Sequence, residues 1–145
     1  MTLLLGLRHL EAVHHHGEAD YPREACGLIG GTIAGDRKIA VETVPLRNAR
    51  TDALRNRFLI DPEAFRRAQA RLDRDGLEVI GVYHSHPDHP AAPSAYDRAH
   101  AWPWLSYLIL EVRRGKAWEA KSWVLADDRS AFQEEAIEPQ EGMVA

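Results

Sequence analysis

Apolar and polar positions alternate along this chain with two periods, and the changeover points mark its elements. Leu3, Leu7, Leu10 and Val13 or His14 recur at helical spacing, which predicts an amphipathic helix over residues 4–18. Gly17 and the Tyr21-Pro22 pair end it. ACGLIGGTI (25–33) is a short apolar run of the kind a buried strand needs, and RKIAVETV (37–44) follows a hairpin-like turn at Gly35-Asp36. Residues 57–60 read as a short extended piece. Asp61 then caps a helix opened by Pro62, with Phe65, Ala68 and Leu72 facing inward until Gly76 closes it after about Asp75.

LEVIGVYHSH (77–86) is strand-like up to Pro87, and SAYDRAHAW (94–102) reads as a short helix stopped before Pro103. LSYLILEV (105–112) and AWEAKSWVLA (117–126) predict an antiparallel hairpin turning across 113–116. From Asp127 the pattern specifies no element, and the last few residues are expected to fray. Interleaved strands and helices with several antiparallel connections predict one domain over residues 1–145. Its class is α/β, a layered mixed β-sheet flanked by helices.

Composition narrows the functions. At 145 residues the chain can bury a core without disulfides or a structural metal. A formal charge of -4 and no dense basic run exclude nucleic acid as the expected partner. Cys26 is the only cysteine, so there is no intrachain disulfide and no thiolate-rich metal site. The start, MTLLLGLRHL, lacks the basic opening and sustained apolar stretch of a signal peptide, and no run of about 18 apolar residues exists to span a membrane. The expectation is a cytoplasmic protein away from membranes.

The chemistry concentrates in GVYHSHPDHPAAPSAYD (81–97). Residues two apart on a strand point the same way, so His84 and His86 project from one face while Ser85 points away. Two imidazoles there are half of a zinc site. A third ligand must come from another element. Asp97 lies on the first turn of the next helix, and the loop 87–93 is long enough to fold that helix back. Two histidines and a carboxylate leave a tetrahedral corner open, as a catalytic zinc requires. Such a site also needs a base for water's proton and a donor for a developing oxyanion. Ser94 is a candidate donor. Spacing alone does not reveal the base. Glu24, at the head of an apolar strand, is the best upstream candidate, whereas Glu11, Glu18 and Glu42 look solvated.

His84-x-His86, seven residues, Ser94, two residues and Asp97, with Glu24 upstream in EACGLIGG, resembles the signature of the JAMM (MPN-plus) zinc metallopeptidases. The helix and strand order over residues 4–126 agrees with that family's compact prokaryotic members. The resemblance implies a cytidine-deaminase-like fold, one zinc ion and hydrolysis of amide or isopeptide bonds. It implies His84, His86 and Asp97 as zinc ligands, Glu24 as general base and Ser94 as oxyanion stabiliser. As partner it implies a ubiquitin-like β-grasp or sulfur-carrier protein whose C-terminal Gly-Gly is joined to an amine. In some members the released group is an amino acid such as cysteine. An extended tail is expected to bind by adding a strand beside the active-site edge.

Plainer readings compete. Ser94-x-x-Asp97 also fits a capping box, and both roles can hold together. His14, His15 and His16 diverge by about 100° per residue on a helix and cannot converge on one ion. His89 and His100 lie near the site in sequence and are expected in solvent, with contact to substrate or to the ligands as the alternative, and Cys26 is expected as a small packed residue. Arg66, Arg67, Arg71 and Arg74 are expected on a solvated helix face, with a docking patch for an acidic partner as the lesser reading; Trp102 and Trp104, flanking Pro103 beside the site, are expected in the core by default, with the wall of a cleft as the alternative. A non-catalytic interaction module is the alternative function, which the complete ligand set disfavours. A nucleobase deaminase needs His-x-Glu and Pro-Cys-x-x-Cys, which one cysteine cannot supply, and HExxH does not occur.

Overall fold

The computed structural model describes residues 1–49 and 60–139. Its elements run β1 (Thr2–Leu4), α1 (Leu7–Asp20), β2 (Cys26–Ala34), β3 (Arg37–Leu46), α2 (Pro62–Arg74), β4 (Glu78–Pro87), α3 (Ala95–His100), β5 (Ser106–Arg113), β6 (Lys116–Leu125) and β7 (Phe132–Glu138). The expected extended piece over 57–60 lies outside the described residues except at Ile60, which bridges Asn48. No described helix is long and apolar enough to cross a membrane.

The mixed α/β class holds, but the sheet does not stay an open layer. Its order is β1-β3-β2-β4-β5-β6-β7, and β1 also pairs with β7, so the seven strands close into a barrel. β1 joins both β3 and β7 in parallel, β4 joins β5 in parallel, and the other pairs are antiparallel. Both closing strands were hidden in the sequence. Leu3 and Leu5 are buried at strand period, and the same leucines also fit a helical spacing. The helix therefore starts only at Leu7, which is exposed, and packs through Leu10, Val13 and Gly17. β7 reads FQEEAIE and buries a glutamate rather than an apolar side chain, so its alternation gave no hydrophobic signal.

That glutamate belongs to a buried polar group spanning four strands. Lys38 donates to Ser106 Oγ at 2.9 Å and lies 3.8 Å from the Glu135 carboxylate. Ser106 and Ser122 both donate to Glu135 Oε1, at 2.5 and 2.7 Å. Burial pulls the Lys38 ammonium below its usual range, opposed by Glu135.

α2 forms where its pattern says. The Asp61 carboxylate accepts from the Glu63 amide, Pro62 occupies the first turn, and Ala68 and Leu72 face the sheet. One irregularity positions the site. The β2–β4 register slips between Ile29 and Gly30, opposite Ile80, and the β2–β3 register slips between Gly30 and Gly31. β3 comes so close there that a Cβ on Gly31 would lie 1.9 Å from the Ile39 carbonyl oxygen. Beyond the slip, Tyr83 and Ser85 face α1, while Val82, His84 and His86 face the side covered by α2 and α3.

The buried ion pair generates a test. Glu135→Leu alone leaves the Lys38 charge buried and uncompensated, and is expected to cost about 3–5 kcal/mol in urea unfolding. Lys38→Met with Glu135→Leu is expected to recover most of that loss. Equal destabilisation in the single and double variants would show that the pair does not set the stability of the closure.

Candidate metal centre

Three segments meet at the carboxyl end of β4. His84 and His86 are both about 1 % exposed, with Nε2 atoms 3.1 Å apart. Asp97, at the third position of α3, straddles them: Oδ1 lies 3.3 Å from His84 Nε2 and Oδ2 lies 3.2 Å from His86 Nε2. A carboxylate oxygen of Glu24 and nitrogens of both imidazoles all lie within 4.8 Å of one another. Glu24 is 1 % exposed, and neither of its oxygens has a hydrogen-bond partner among the described residues.

Local bonds aim each of these side chains. Ser94 and Asp97 form the capping box expected from their spacing: Asp97 N donates to Ser94 Oγ at 3.1 Å and Ser94 N donates to Asp97 Oδ2 at 2.9 Å. His86 Nδ1 lies 2.7 Å from the Pro90 carbonyl oxygen and so carries the proton, which leaves a lone pair on Nε2. Ser85 ties the histidine strand to Glu24's neighbour. Its amide donates to the Ala25 carbonyl at 3.0 Å, and the Ala25 amide donates to Ser85 Oγ at 2.8 Å. Asn48 donates to the Glu24 carbonyl at 3.0 Å.

The electrostatics follow from burial. Desolvation, then the Asp97 charge, pushes the Glu24 carboxyl up to about 9. Burial lowers His84 and so favours its neutral form. Burial also works against ionising Asp97, yet the His84 and His86 contacts and the Ser94 amide hold it far below the usual carboxylate range. The Nε2 atoms of two imidazoles and an ionised carboxylate thus converge with a second carboxyl close by. A cation resolves that convergence. A tetrahedral ion with bonds of about 2.0–2.1 Å sets neighbouring donors about 3.3 Å apart, close to the separations here. The residues fit a metal ion.

Several neighbours depart from expectation. His89 is not solvent-exposed: it is half-buried and stacks on His86 with ring centroids 4.0 Å apart. His100 is exposed as expected and stacks on Tyr96. Trp102 and Trp104 are exposed rather than in the core. Trp102 instead lines, with Phe65, Val82, Tyr96, Leu105 and Tyr107, an apolar cleft of about 580 Å³ that Asp97 also borders. The Pro-flanked segment holding Trp102 and Trp104 lacks a period that would turn them inward. Cys26 is buried and its thiol pushed up to about 12 by desolvation, an inert packed residue. Of the arginines expected in solvent, Arg66 is exposed and borders the cleft, whereas Arg71 pairs with Glu42 at 2.6 Å across to β3, so neither Arg71 nor Glu42 is simply solvated. His16 contacts Tyr83 Oη at 2.6 Å and Asp20 at 3.3 Å, which separates it from any triple-histidine site. Pro90, Asn48 and Ser85 were not singled out as site residues, because the first acts through a main-chain carbonyl and the others through contacts distant in sequence.

A family model described as prokaryotic homologs of the JAB domain matches residues 7–126. The chain belongs to this family. The JAB match agrees with the JAMM signature read around His84, His86 and Asp97. A probable TtuB-protein conjugate cleaving protease of Thermus thermophilus is 35 % identical over 100 residues, 69 % of this chain and 64 % of that protein. The match thus spans under two thirds of that relative's length. A CysO-cysteine peptidase of Mycobacterium bovis is 29 % identical over 81 % of this chain and 79 % of its own. The solution structure of a Desulfitobacterium hafniense protein superposes on this JAB-domain chain with a TM-score of 0.81 and 33 % identity, covering 97 % of each.

Glu24 gives the metal-free protein a pH signature. With its folded value raised to about 9, the folded chain keeps a proton that the unfolded chain releases above about 4.5. The associated stability is full below that lower value and declines as pH rises toward about 9. Glu24→Gln is expected to flatten this decline and to raise the urea midpoint of metal-free protein at pH 8. Parallel pH curves for the two proteins would contradict it.

Proposed function

We propose that this chain is a zinc-dependent hydrolase that cleaves the amide bond after the C-terminal Gly-Gly of a ubiquitin-like or sulfur-carrier protein. The observation that carries this reading is the meeting of His84, His86 and Asp97 at 3.1–3.3 Å beside a buried Glu24 that has no hydrogen-bond partner among the described residues. Conjugate cleavage named for the Thermus protein and cysteine release named for the mycobacterial one support the substrate class. On this reading the chain is a single cytidine-deaminase-like domain working in the cytoplasm, in keeping with one buried cysteine.

His84, His86 and Asp97 are the residues that would hold the ion. Zinc supplies a Lewis acid that makes water acidic enough to lose a proton near neutrality and polarises a carbonyl. Glu24 accepts water's proton as oxygen bonds to the carbonyl carbon, then delivers a proton to the departing nitrogen as the C–N bond breaks. The products are a carboxylate and an amine. A nearby cation favours the ionised form of Glu24 that accepting a proton requires, reversing the effect of burial. Ser94 Oγ accepts from the Asp97 amide, which leaves the hydroxyl its own proton to donate to a developing oxyanion. His86 stays aimed through its bond to Pro90.

β4 is paired with β2 as far as His84 and with β5 from Gly81 to Pro87, which leaves little open edge on this strand for an added tail. The apolar cleft between α2 and residues 96–107, bordering Asp97, is the better path for the acyl side.

Zinc-loaded protein incubated with adducts joined through a C-terminal Gly-Gly is expected to cleave them. Glu24→Ala should retain zinc and lose about 10²–10⁴-fold in kcat, whereas His84→Ala should lose the metal by elemental analysis. Absence of zinc-dependent cleavage of every Gly-Gly adduct, with full zinc occupancy, would overturn the hydrolase reading in favour of an interaction module.

A further inference from the structure

The bond to Pro90 fixes where His86 Nδ1 points, but one hydrogen bond restrains the tilt of the ring plane only weakly. A metal donor must aim its lone pair along the bond to the ion, so the plane of the imidazole matters as well as the place of Nε2. The His89 ring supplies that restraint. It lies 16° from the plane of His86 with centroids 4.0 Å apart, in van der Waals contact over its face. His84 does not do the same, because its ring meets His86 at 58° with centroids 4.9 Å apart.

A stacked ring can hold another in place only where the chain carrying it is itself fixed, and His89 is anchored on both sides. Asp88 N donates to the Val112 carbonyl at 2.7 Å, and Arg114 N donates to Asp88 Oδ1 at 2.8 Å. The Tyr21 hydroxyl, just beyond α1, donates to Asp88 Oδ2. These bonds hold Asp88 in a left-handed conformation, with a φ of 59°. On the other side, Trp123 Nε1 of β6 donates to the Ala91 carbonyl at 2.9 Å. Residues 88–91 are thus a short span tied to the end of α1, to β5 and to β6, and it carries both the Pro90 carbonyl and the His89 ring to His86.

The chemistry of His89 tells which of its features matters. Its Nε2 is buried and has no hydrogen-bond partner among the described residues, so hydrogen bonding at that atom is not what places the ring. What it presents to His86 is a flat π surface. An imidazole whose Nε2 binds a cation is electron-poor, and a π face stacked on it favours that state over the free ring. The structure assigns His89 as a positioning residue for His86, acting through its stacked ring, with residues 88–91 as the bracket that holds it and Tyr21 as the bracket's remote anchor. This rests on His86 binding an ion, as the hydrolase reading above requires, and not on hydrolysis itself.

The test measures zinc affinity by competition with a chromophoric chelator, and ligand geometry by the visible absorption of Co²⁺-substituted protein. His89→Ala is expected to bind zinc about 10- to 100-fold more weakly and to shift the Co²⁺ bands at full occupancy. His89→Phe keeps a flat ring and should stay close to the parent in both. Tyr21→Phe removes one hydroxyl far from the ion and should weaken zinc binding by a smaller factor. Unchanged affinity and bands in His89→Ala, or His89→Phe as weak as His89→Ala, overturns the assignment and leaves the hydrolase reading standing. So does a loss of affinity matched by a fall in the urea midpoint of metal-free protein, with the Co²⁺ bands unmoved. Unchanged binding in Tyr21→Phe alone overturns its part as anchor. Zinc binding that depends on the His89 ring, without cleavage of any Gly-Gly adduct, keeps the assignment and overturns the hydrolase reading. Failure of the parent protein to bind zinc overturns both.

Discussion

A carboxyl group buried without a hydrogen-bond partner among the described residues, facing two imidazoles and a second carboxylate, is costly for a folded chain to hold. Everything that fixes Glu24 is therefore informative about what the fold is built to do. Asn48 grips its carbonyl, and Ser85 grips Ala25 through both its amide and its hydroxyl. Ser85 is also the residue between the two histidines. One residue of β4 thus locks the segment carrying Glu24 to the segment carrying His84 and His86, and Tyr83 and α1 back the strand on its other face. The convergence belongs to the rigid part of the molecule, as a site that binds an ion by geometry requires.

Burial of polar groups does not by itself mark such a site, and this chain contains the contrast. Lys38, Ser106, Ser122 and Glu135 are as buried as the histidines, yet donors and acceptors answer one another: an ammonium and two hydroxyls meet one carboxylate. Around Glu24 the balance fails, because acceptors outnumber protons. The first group is balanced in charge, with the Lys38 ammonium 3.8 Å from the second Glu135 oxygen, and holds β3, β5, β6 and β7 together. The second is complete only with a positive charge.

How much of this was legible in the sequence depends on how local each feature is. The period-2 placement of His84 and His86, the helix cap at Asp61 and the Ser94–Asp97 box are decided within a few residues, and each could be read directly. Glu24 needed the family resemblance for its role, because nothing near it in sequence says which strand it faces. β1 was lost because its leucines satisfy two periods at once. β7 was lost because its inward residue is a glutamate whose partners lie on three other strands. His89 was placed in solvent since only the folded loop stacks it on His86. Trp102 was given the core as its default and the wall of a cleft as the alternative, and the cleft it borders decides for the second.

The topology explains why the third member of the cluster arrives where it does. β4 and β5 are parallel neighbours, with Gly81 opposite Ser106, so the chain must leave the sheet beyond Pro87 and return to the level of Gly81. Parallel strands cannot be joined by a tight turn. Residues 88–105 make that return over a rise of only six strand residues, so most of the connection folds beside the end of β4 instead of running along it. A short helix placed there presents its first turn to the strand it has just left, and the capping box fixes Asp97 at the position that faces back. The same compact crossover leaves Trp102 and Leu105 on its outgoing half, opposite Phe65 of α2, where they wall the apolar cleft. Metal-binding geometry and the acyl-side groove are thus two consequences of one connection, while Glu24 comes from the opposite, antiparallel side of β4.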